Sequence, residues 1–191
     1  MKKKPTAKVF IDASNVFYAQ KKMGWLIDWK KIKDFFNIKY RVVGINYYVA
    51  VEKTSVKTKF LNFLTKQNFR VFTKPLKQIL DYVIDENGKI KKVLINKGNF
   101  DIEIIRDTLL DKEKYELLIL LSGDSDFACL KTSWTSLGRK LIIFSSKKNL
   151  AWELRLAAMQ VMYFEDIKSK IYRRDWDLTK TDKNSINRAL N

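Results

Sequence analysis

Aspartates that follow apolar segments are the residues of this sequence best suited to do chemistry. The segment LLILLSGDSDF, residues 117–127, is an apolar strand pattern that reaches Ser122 and then presents Asp124 and Asp126 two positions apart. Two carboxylates beside a buried strand repel each other unless a cation or hydrogen-bond donors offset their charges. The pair therefore indicates a metal site, although a helix N-cap explains one of the two aspartates equally well.

Two further acidic features precede this pair in the chain. Asp12 ends the apolar stretch KVFID, and Asn15 follows with an amide that can orient a carboxylate, a water or a phosphate. Asp101 lies in the first turn of a predicted helix, where the helix dipole favours a negative charge, and Asp107 lies further along that helix. Each aspartate also has a structural interpretation, as a turn former or as a charge that stabilises a helix N-terminus.

A site built from aspartate oxygens suits Mg²⁺ or Mn²⁺, which polarise a phosphoryl oxygen and lower the pKa of bound water. The sequence contains no histidine, which excludes Ser-His-Asp and Cys-His catalysis and any histidine-ligated zinc site. Its one cysteine, Cys129, lies in the apolar run FACL, which predicts a buried thiol and fits a reducing cytoplasm. Carboxylates and lysines must therefore do any chemistry.

The formal net charge of +17 favours a polyanionic partner, with nucleic acid as the leading candidate. The alternative is a lysine-rich surface that keeps the protein soluble. Candidate RNA contacts lie near predicted carboxyl-end loops, and each could equally be an ordinary solvated side chain: Lys97, Lys147, Lys148 and Arg155. Some aromatic residues could stack on bases, although core positions are the commoner explanation: Tyr18, Trp25, Tyr47, Tyr48 and Trp152.

The elements that must position these residues alternate between strand and helix patterns. Strands are predicted at residues 8–12, 42–51, 70–73, 116–121, 140–144 and 161–164. Helices are predicted after a Ser14 N-cap and at residues 29–37, 54–67, 100–110, 127–137, 149–158 and 167–172. Asn87-Gly88 predicts a β-hairpin within residues 82–95. This alternation predicts an α/β fold with a parallel sheet covered on both faces, in which ligands gather at the carboxyl ends of the strands.

The length of 191 residues suits one domain, predicted over residues 1–172. Residues 173–191 lose periodicity and are predicted to form a basic C-terminal tail, either a flexible extension or a homodimer contact. The start MKKKPTAKVFID lacks the apolar region of a signal peptide, and no segment reaches about 18 uncharged apolar residues. We expect a soluble cytoplasmic protein with no membrane partner.

The segments FIDASN, KGNFDIEIIRDTLL, LLSGDSDF and SLGRKLIIFS, followed by NLAWELRLAA, resemble in this order the NYN domains of the LabA-like group, in the PIN-like nuclease superfamily. The resemblance runs from about residue 8 to residue 166. It implies a three-layer α/β/α sandwich around a mainly parallel sheet, here with an inserted β-hairpin. Two departures are one extra residue before Asp101 and Met159 where relatives often carry an aspartate.

The resemblance also implies an activity, the metal-dependent cleavage of RNA phosphodiester bonds. The implied catalytic and metal-binding residues are Asp12, Asp101, Asp124 and Asp126. The implied supporting residues are Asn15, Ser122 and Asp107, with Lys97 reaching a phosphate. The leading hypothesis is thus an Mg²⁺- or Mn²⁺-dependent endoribonuclease acting on single-stranded or structured RNA.

Two other functions stay open at this point. The first is a noncatalytic RNA-binding or regulatory NYN module, because a fold does not guarantee an activity. The second is a phosphohydrolase for small phosphate esters with Asp12 as nucleophile. Haloacid dehalogenase-type phosphatases carry a second aspartate two residues later, where this chain has Ser14.

Overall fold

Strands and helices alternate along the chain in the computed structural model, which describes residues 3–51, 58–84 and 88–177. The strands are β1 (Thr6–Asp12), β2 (Trp25–Ile27), β3 (Arg41–Val51), β4 (Arg70–Pro75), β5 (Lys77–Ile84), β6 (Ile90–Lys97), β7 (Leu117–Leu121), β8 (Lys140–Ser145), β9 (Gln160–Tyr163) and β10 (Tyr172–Asp177). The helices are α1 (Ala13–Met23), α2 (Trp29–Lys39), α3 (Thr58–Lys66), α4 (Asp101–Leu110), α5 (Lys131–Ser136), α6 (Trp152–Ala157) and α7 (Lys168–Ile171). Two 3-10 helices cover Ser125–Leu130 and Glu165–Ile167.

Six strands form one sheet in the order β4-β3-β1-β7-β8-β9. Every neighbouring pair in it is parallel, as predicted. The chain starts at the centre with β1, proceeds outward to β4, and then crosses back to β7 on the other side of β1. The strand order therefore reverses between β1 and β7. Doubly wound sheets bind their ligands at such a reversal, beyond the carboxyl ends of the strands.

Helices cover both faces of this sheet, which confirms the three-layer α/β/α sandwich. Because successive side chains of a strand point to opposite faces, Ile11 and Phe10 of β1 enter different cores. Ile11 packs in one core with Ile32 of α2. Phe10 packs in the other with Ile104 of α4 and Trp134 of α5. The central strands are buried on both sides, which explains their nearly uninterrupted apolar sequences.

The predicted β-hairpin is confirmed and is longer than its apolar pattern indicated. It consists of β5 and β6, which pair antiparallel from Lys77 opposite Lys97 to Ile84 opposite Ile90. Gly88 has a φ of +76°, a conformation that favours glycine in the turn. Asn87, the other residue of the predicted turn, lies outside the described residues.

A second small sheet, which was not predicted, pairs β10 with β2 in antiparallel orientation. β2 has three residues, too few to give an alternating pattern. Residues 173–177 of the predicted tail lie in β10, and residues 178–191 lie outside the described part of the chain.

Two predicted helices are wrong in extent, and both lie beside the site described below. Instead of one helix over 127–137, the chain forms the 3-10 helix Ser125–Leu130 and then α5. Instead of starting at residue 149, α6 starts at Trp152, because the N–H of Ala151 donates to the carbonyl of Gly123 (2.8 Å). In the part of the chain that the structure describes, no helix is long and apolar enough to cross a membrane.

Candidate metal-binding site

Three carboxylates converge where the strand order of the sheet reverses. Oxygen atoms of Asp101, Asp124 and Asp126 lie within 4.8 Å of one another. We call these residues the three-carboxylate group. Asp101 is the first residue of α4, whereas Asp124 and Asp126 lie at the start of the 3-10 helix that follows β7. One divalent cation could contact an oxygen of all three.

Helix capping accounts for only part of this arrangement. Asp124 is the N-cap of the 3-10 helix, and its Oδ1 accepts a hydrogen bond from the backbone N–H of Asp126 (3.0 Å). Capping therefore explains one oxygen of Asp124 but not the approach of Asp126 to Asp101. The helical interpretation left open by the sequence is correct for one aspartate and insufficient for the group.

Asp101 shows the combined effect of burial and of neighbouring negative charges. The residue is 8% exposed, and its Oδ2 accepts a hydrogen bond from Nδ2 of Asn99 (2.6 Å). Burial, and then the charges of Asp12, Asp124 and Asp126, raise the pKa of Asp101 to about 6. In the described part of the chain, no lysine or arginine side chain pairs with these aspartates. The donor set therefore fits a bound cation, which would offset negative charges that no described lysine or arginine side chain neutralises.

Asp12 lies beside the three-carboxylate group as a buried carboxyl group whose two oxygens both accept hydrogen bonds. It ends β1 and is 3% exposed. Its Oδ1 accepts from the N–H and Oγ of Ser14 (3.1 and 2.7 Å) and from the N–H of Asn15 (3.2 Å), and its Oδ2 accepts from Oγ of Ser122 (3.2 Å). Burial raises the pKa of Asp12 against these hydrogen bonds, and Asp124 raises it further. The predicted Ser14 N-cap is wrong, since Asp12 itself caps α1.

Contacts with neighbouring loops fix the end of β7 in place. Oδ1 of Asn15 accepts a hydrogen bond from the N–H of Gly123 (2.8 Å), so α1 is tied to the loop that bears the aspartates. A Cβ at Gly123 would lie 2.3 Å from the carbonyl oxygen of Asn149 and 2.7 Å from Oγ of Ser145. Only glycine allows this approach, which brings the turn after β8 against the site.

Asp107 does not lie in the three-carboxylate group. Its Oδ2 accepts a hydrogen bond from the hydroxyl of Tyr48 (3.0 Å), and its Oδ1 pairs with Arg106 (2.7 Å). It follows Asp101 by six residues on α4, a separation that places the two side chains on different faces of a helix. Any support that Asp107 gives to the site is therefore indirect.

The four predicted RNA contacts have different surroundings. Lys148 follows β8 and Arg155 lies on α6, and both are exposed. Lys147 is also exposed, but its Nζ pairs with Asp166 (2.6 Å), which raises the pKa of Lys147. Lys97 ends β6, and its side chain lies outside the described part of the structure. All four remain predictions.

Three features of the site were missed or misjudged at the level of sequence. Asn99 and Gly123 were not singled out, although an amide two residues before Asp101 and a glycine before Asp124 were visible signals. The predicted burial of Cys129 is wrong: its side chain is exposed, and its Sγ donates to the carbonyl of Asp126 (3.1 Å). The 3-10 geometry of this segment turns the thiol outward from an apolar run.

Comparison with known proteins gives a family and a fold. The model of the NYN domain family matches residues 6–166. The low amplitude and bright protein LabA of Synechococcus elongatus is 29% identical over 169 residues, which cover 87% of this chain and 88% of that protein. The crystal structure of VPA0982, a protein of unknown function from Vibrio parahaemolyticus, superposes with a TM-score of 0.66 at 18% identity and covers 91% of this chain and 99% of that one. The similarity to VPA0982 shows the fold alone.

Proposed function

Because the chain belongs to the NYN domain family of PIN-like, nuclease-type modules, we propose that it is a metal-dependent endoribonuclease that hydrolyses RNA phosphodiester bonds. The observation that carries this proposal is the convergence of Asp101, Asp124 and Asp126 within 4.8 Å. Its position at the reversal of strand order, where sheets of this kind bind ligands, supports the same conclusion.

The three-carboxylate group would hold Mg²⁺ or Mn²⁺, since both ions prefer oxygen ligands and keep coordination positions for water and phosphate. A bound divalent cation supplies charge stabilisation at the phosphoryl and leaving oxygens and acidifies a bound water. The protein's own part is to keep three anionic oxygens together before the cation arrives. Burial of Asp101 and the hydrogen bond from Asn99 fix one of these oxygens, and the cap made by Asp124 fixes the second.

Asp12 acts in this proposal as a positioning and electrostatic residue. Both of its oxygens accept hydrogen bonds from neighbouring N–H and O–H groups, and these bonds hold the carboxyl group in a fixed orientation. The geometry therefore does not favour the phosphohydrolase alternative, in which Asp12 attacks phosphorus. Through Ser122, Asp12 instead links the end of β1 to the end of β7, so the strands on both sides of the reversal hold one site.

The test is RNA cleavage by the Asp124→Asn variant in buffer with Mn²⁺ or Mg²⁺. We expect the loss of at least about a hundredfold in rate, because one anionic ligand is removed while size is kept. Asp34→Asn is the matched control, since Asp34 is an exposed aspartate on α2 and undergoes the same charge change. Cleavage products should also disappear when EDTA removes the cation.

Two results would contradict the proposal in different ways. If Asp124→Asn cleaves RNA as fast as the unchanged protein, the assignment of the site is wrong. If the unchanged protein binds RNA and Mn²⁺ but yields no metal-dependent products, the protein is the noncatalytic NYN module that the sequence left open.

A further inference from the structure

A tryptophan exposed to solvent lies next to the three-carboxylate group. Trp152, the first residue of α6, is 67% exposed. Other tryptophans of the described chain, namely Trp25, Trp29 and Trp134, are buried. A tryptophan side chain is among the largest apolar groups of a protein, and leaving it in water forgoes the stabilisation that burial gives. Its exposure near a candidate active site leaves a large, flat apolar surface available to a ligand.

Backbone contacts fix the position of Trp152 relative to the acids. The N–H of Ala151 donates to the carbonyl of Gly123, so the residue before Trp152 is bonded to the residue before Asp124. α6 also packs against the 3-10 helix that contains Asp126. Leu154 of α6 and Phe127 of that 3-10 helix share one buried core. The backbone of Trp152 is therefore held close to the segment that bears Asp124 and Asp126.

Two exposed cationic residues lie close to Trp152 in the chain. Arg155 follows Trp152 by three residues, a spacing that places both on the same face of a helix. Lys148 lies in the turn that leads into α6, and both cationic side chains are exposed. Leu154 faces the core, so the face with Trp152 and Arg155 is the one turned to solvent. An exposed aromatic side chain with cationic residues nearby is complementary to a nucleotide, whose base is flat and whose phosphates are anionic.

We infer that Trp152 is a stacking platform for an unpaired base of the RNA, with Lys148 and Arg155 contacting phosphates beside it. This inference rests on the proposed function and narrows its substrate to single-stranded RNA. A base within a duplex is covered on both faces by its neighbours, so only an unstacked base can lie on the indole. The three-carboxylate group then meets the phosphodiester of a strand whose position is set by α6.

The test compares binding of two probes, a short fluorescein-labelled RNA strand without self-complementarity and the duplex of that strand with its complement. Anisotropy is measured in EDTA, so that no strand is cleaved. Trp152→Ala should weaken single-strand binding by about tenfold or more, the usual effect of removing a stacking aromatic, and should leave duplex binding unchanged. Trp152→Phe keeps an aromatic face and should retain most of the affinity.

Matched controls use residues at the amino end of the strands, away from the three-carboxylate group. Ile38→Ala removes an exposed apolar side chain from the C-terminal part of α2 and should change neither affinity. Lys148→Ala should lower the slope of log affinity against log salt by about one, because one phosphate contact is lost. Lys140→Ala should leave the slope unchanged, since Lys140 is an exposed lysine at the other end of the same strand, β8.

The outcomes separate this inference from the proposed function. Unchanged single-strand binding by Trp152→Ala overturns the stacking platform, and so does an equal loss for the single strand and the duplex. Metal-dependent cleavage by the unchanged protein would still stand in either case. Conversely, a selective loss of single-strand binding in a protein that never cleaves RNA supports the platform and overturns the ribonuclease.

Discussion

Two acidic regions lie at opposite ends of α4 and differ in how their charges are balanced. After the C-terminus of α4, Asp111 and Glu113 pair with the buried Lys8 at 2.7 and 3.1 Å. Glu113 also pairs with Arg70 at 2.9 Å. At the N-terminus of α4, Asp101 meets Asp124 and Asp126 without such partners in the described part of the chain.

The pKa values move in opposite directions in the two regions. Burial alone would raise the pKa of Glu113, but hydrogen bonds from Arg70 and Lys8 together outweigh it, and the pKa is lowered. Burial and like charges raise the pKa of Asp101 to about 6. Gly44 helps to accommodate the first region, because a Cβ there would lie 3.3 Å from Cε of Lys8. The first set of acids is thus paired with cationic side chains, whereas the second set has no such partner among the described side chains.

The largest expected effect is on stability, from replacing Lys8 by methionine. This change leaves Asp111 and Glu113 partly buried without their common cation, at an expected cost of about 3–5 kcal/mol in the free energy of unfolding. Urea unfolding in EDTA measures the cost. Lys140→Met, an exposed lysine at the start of β8, should cost less than about 1 kcal/mol.

Should Lys8→Met fail to fold, adding Asp111→Asn should restore folding, since it removes the carboxylate that is left without a cationic partner, whereas Glu113 keeps Arg70. A Lys8→Met protein as stable as Lys140→Met would show that the Lys8 pairs contribute nothing. The statement that internal ion pairs stabilise the acids after α4 would then be wrong.

The next effect is stabilisation by metal in the second region alone. At a Mn²⁺ concentration about 100 times the dissociation constant, binding to the folded state adds about 2.7 kcal/mol to the free energy of unfolding. Asp126→Asn should abolish most of this gain, because it removes one of the three carboxylates. Glu113→Gln makes the same kind of charge change in the balanced region and should keep the gain. Thermal unfolding with and without Mn²⁺ distinguishes the two, and equal loss in both variants would contradict a metal site at the three-carboxylate group.

The sequence predicted the second region better than the first, and the reason is physical. Asp12, Asp124 and Asp126 follow strands, and parallel strands place their carboxyl ends at one edge, so convergence could be inferred from the order of elements. The extra residue before Asp101 does not remove it from the site, since Asp101, the first residue of α4, lies with Asp124 and Asp126. The Lys8 pairs join β1 to residues that follow α4, and no local pattern indicates a contact between segments so distant in sequence.

The fold followed from periodicity wherever elements were long. The six strands of the main sheet match their predicted positions within a few residues, and three of them, β1, β7 and β8, are buried almost throughout. The errors fall where hydrogen bonds to distant atoms override local preference. α6 begins late because the carbonyl of Gly123 takes the N–H of Ala151, and β2 forms because β10 lies beside it. Such contacts depend on the folded structure and leave no periodic signal.

The smallest expected effect is the change in the free energy of unfolding when one acid is neutralised. It distinguishes the two regions clearly, because its sign differs between them. The pKa of Asp101 lies at about 6 in the folded protein, above its ordinary value of 3.8. Its charge therefore destabilises the metal-free protein at neutral pH, and this cost fades as pH falls through 6 towards 3.8. Asp101→Asn should raise the free energy of unfolding in EDTA by about 1–2 kcal/mol at neutral pH, after allowance for solvent screening.

Glu113→Gln should change the free energy of unfolding in the opposite direction in the same measurement. The lowered pKa of Glu113 means that its charge stabilises the folded protein at neutral pH, and that this contribution is lost as pH falls below its ordinary value. Urea unfolding in EDTA at neutral and at acidic pH should therefore show Asp101→Asn more stable and Glu113→Gln less stable than the unchanged protein, with both differences shrinking in acid. If Asp101→Asn is less stable than the unchanged protein in EDTA at neutral pH, the three-carboxylate group carries no unbalanced charge. The structural reason to expect a cation there would then be lost.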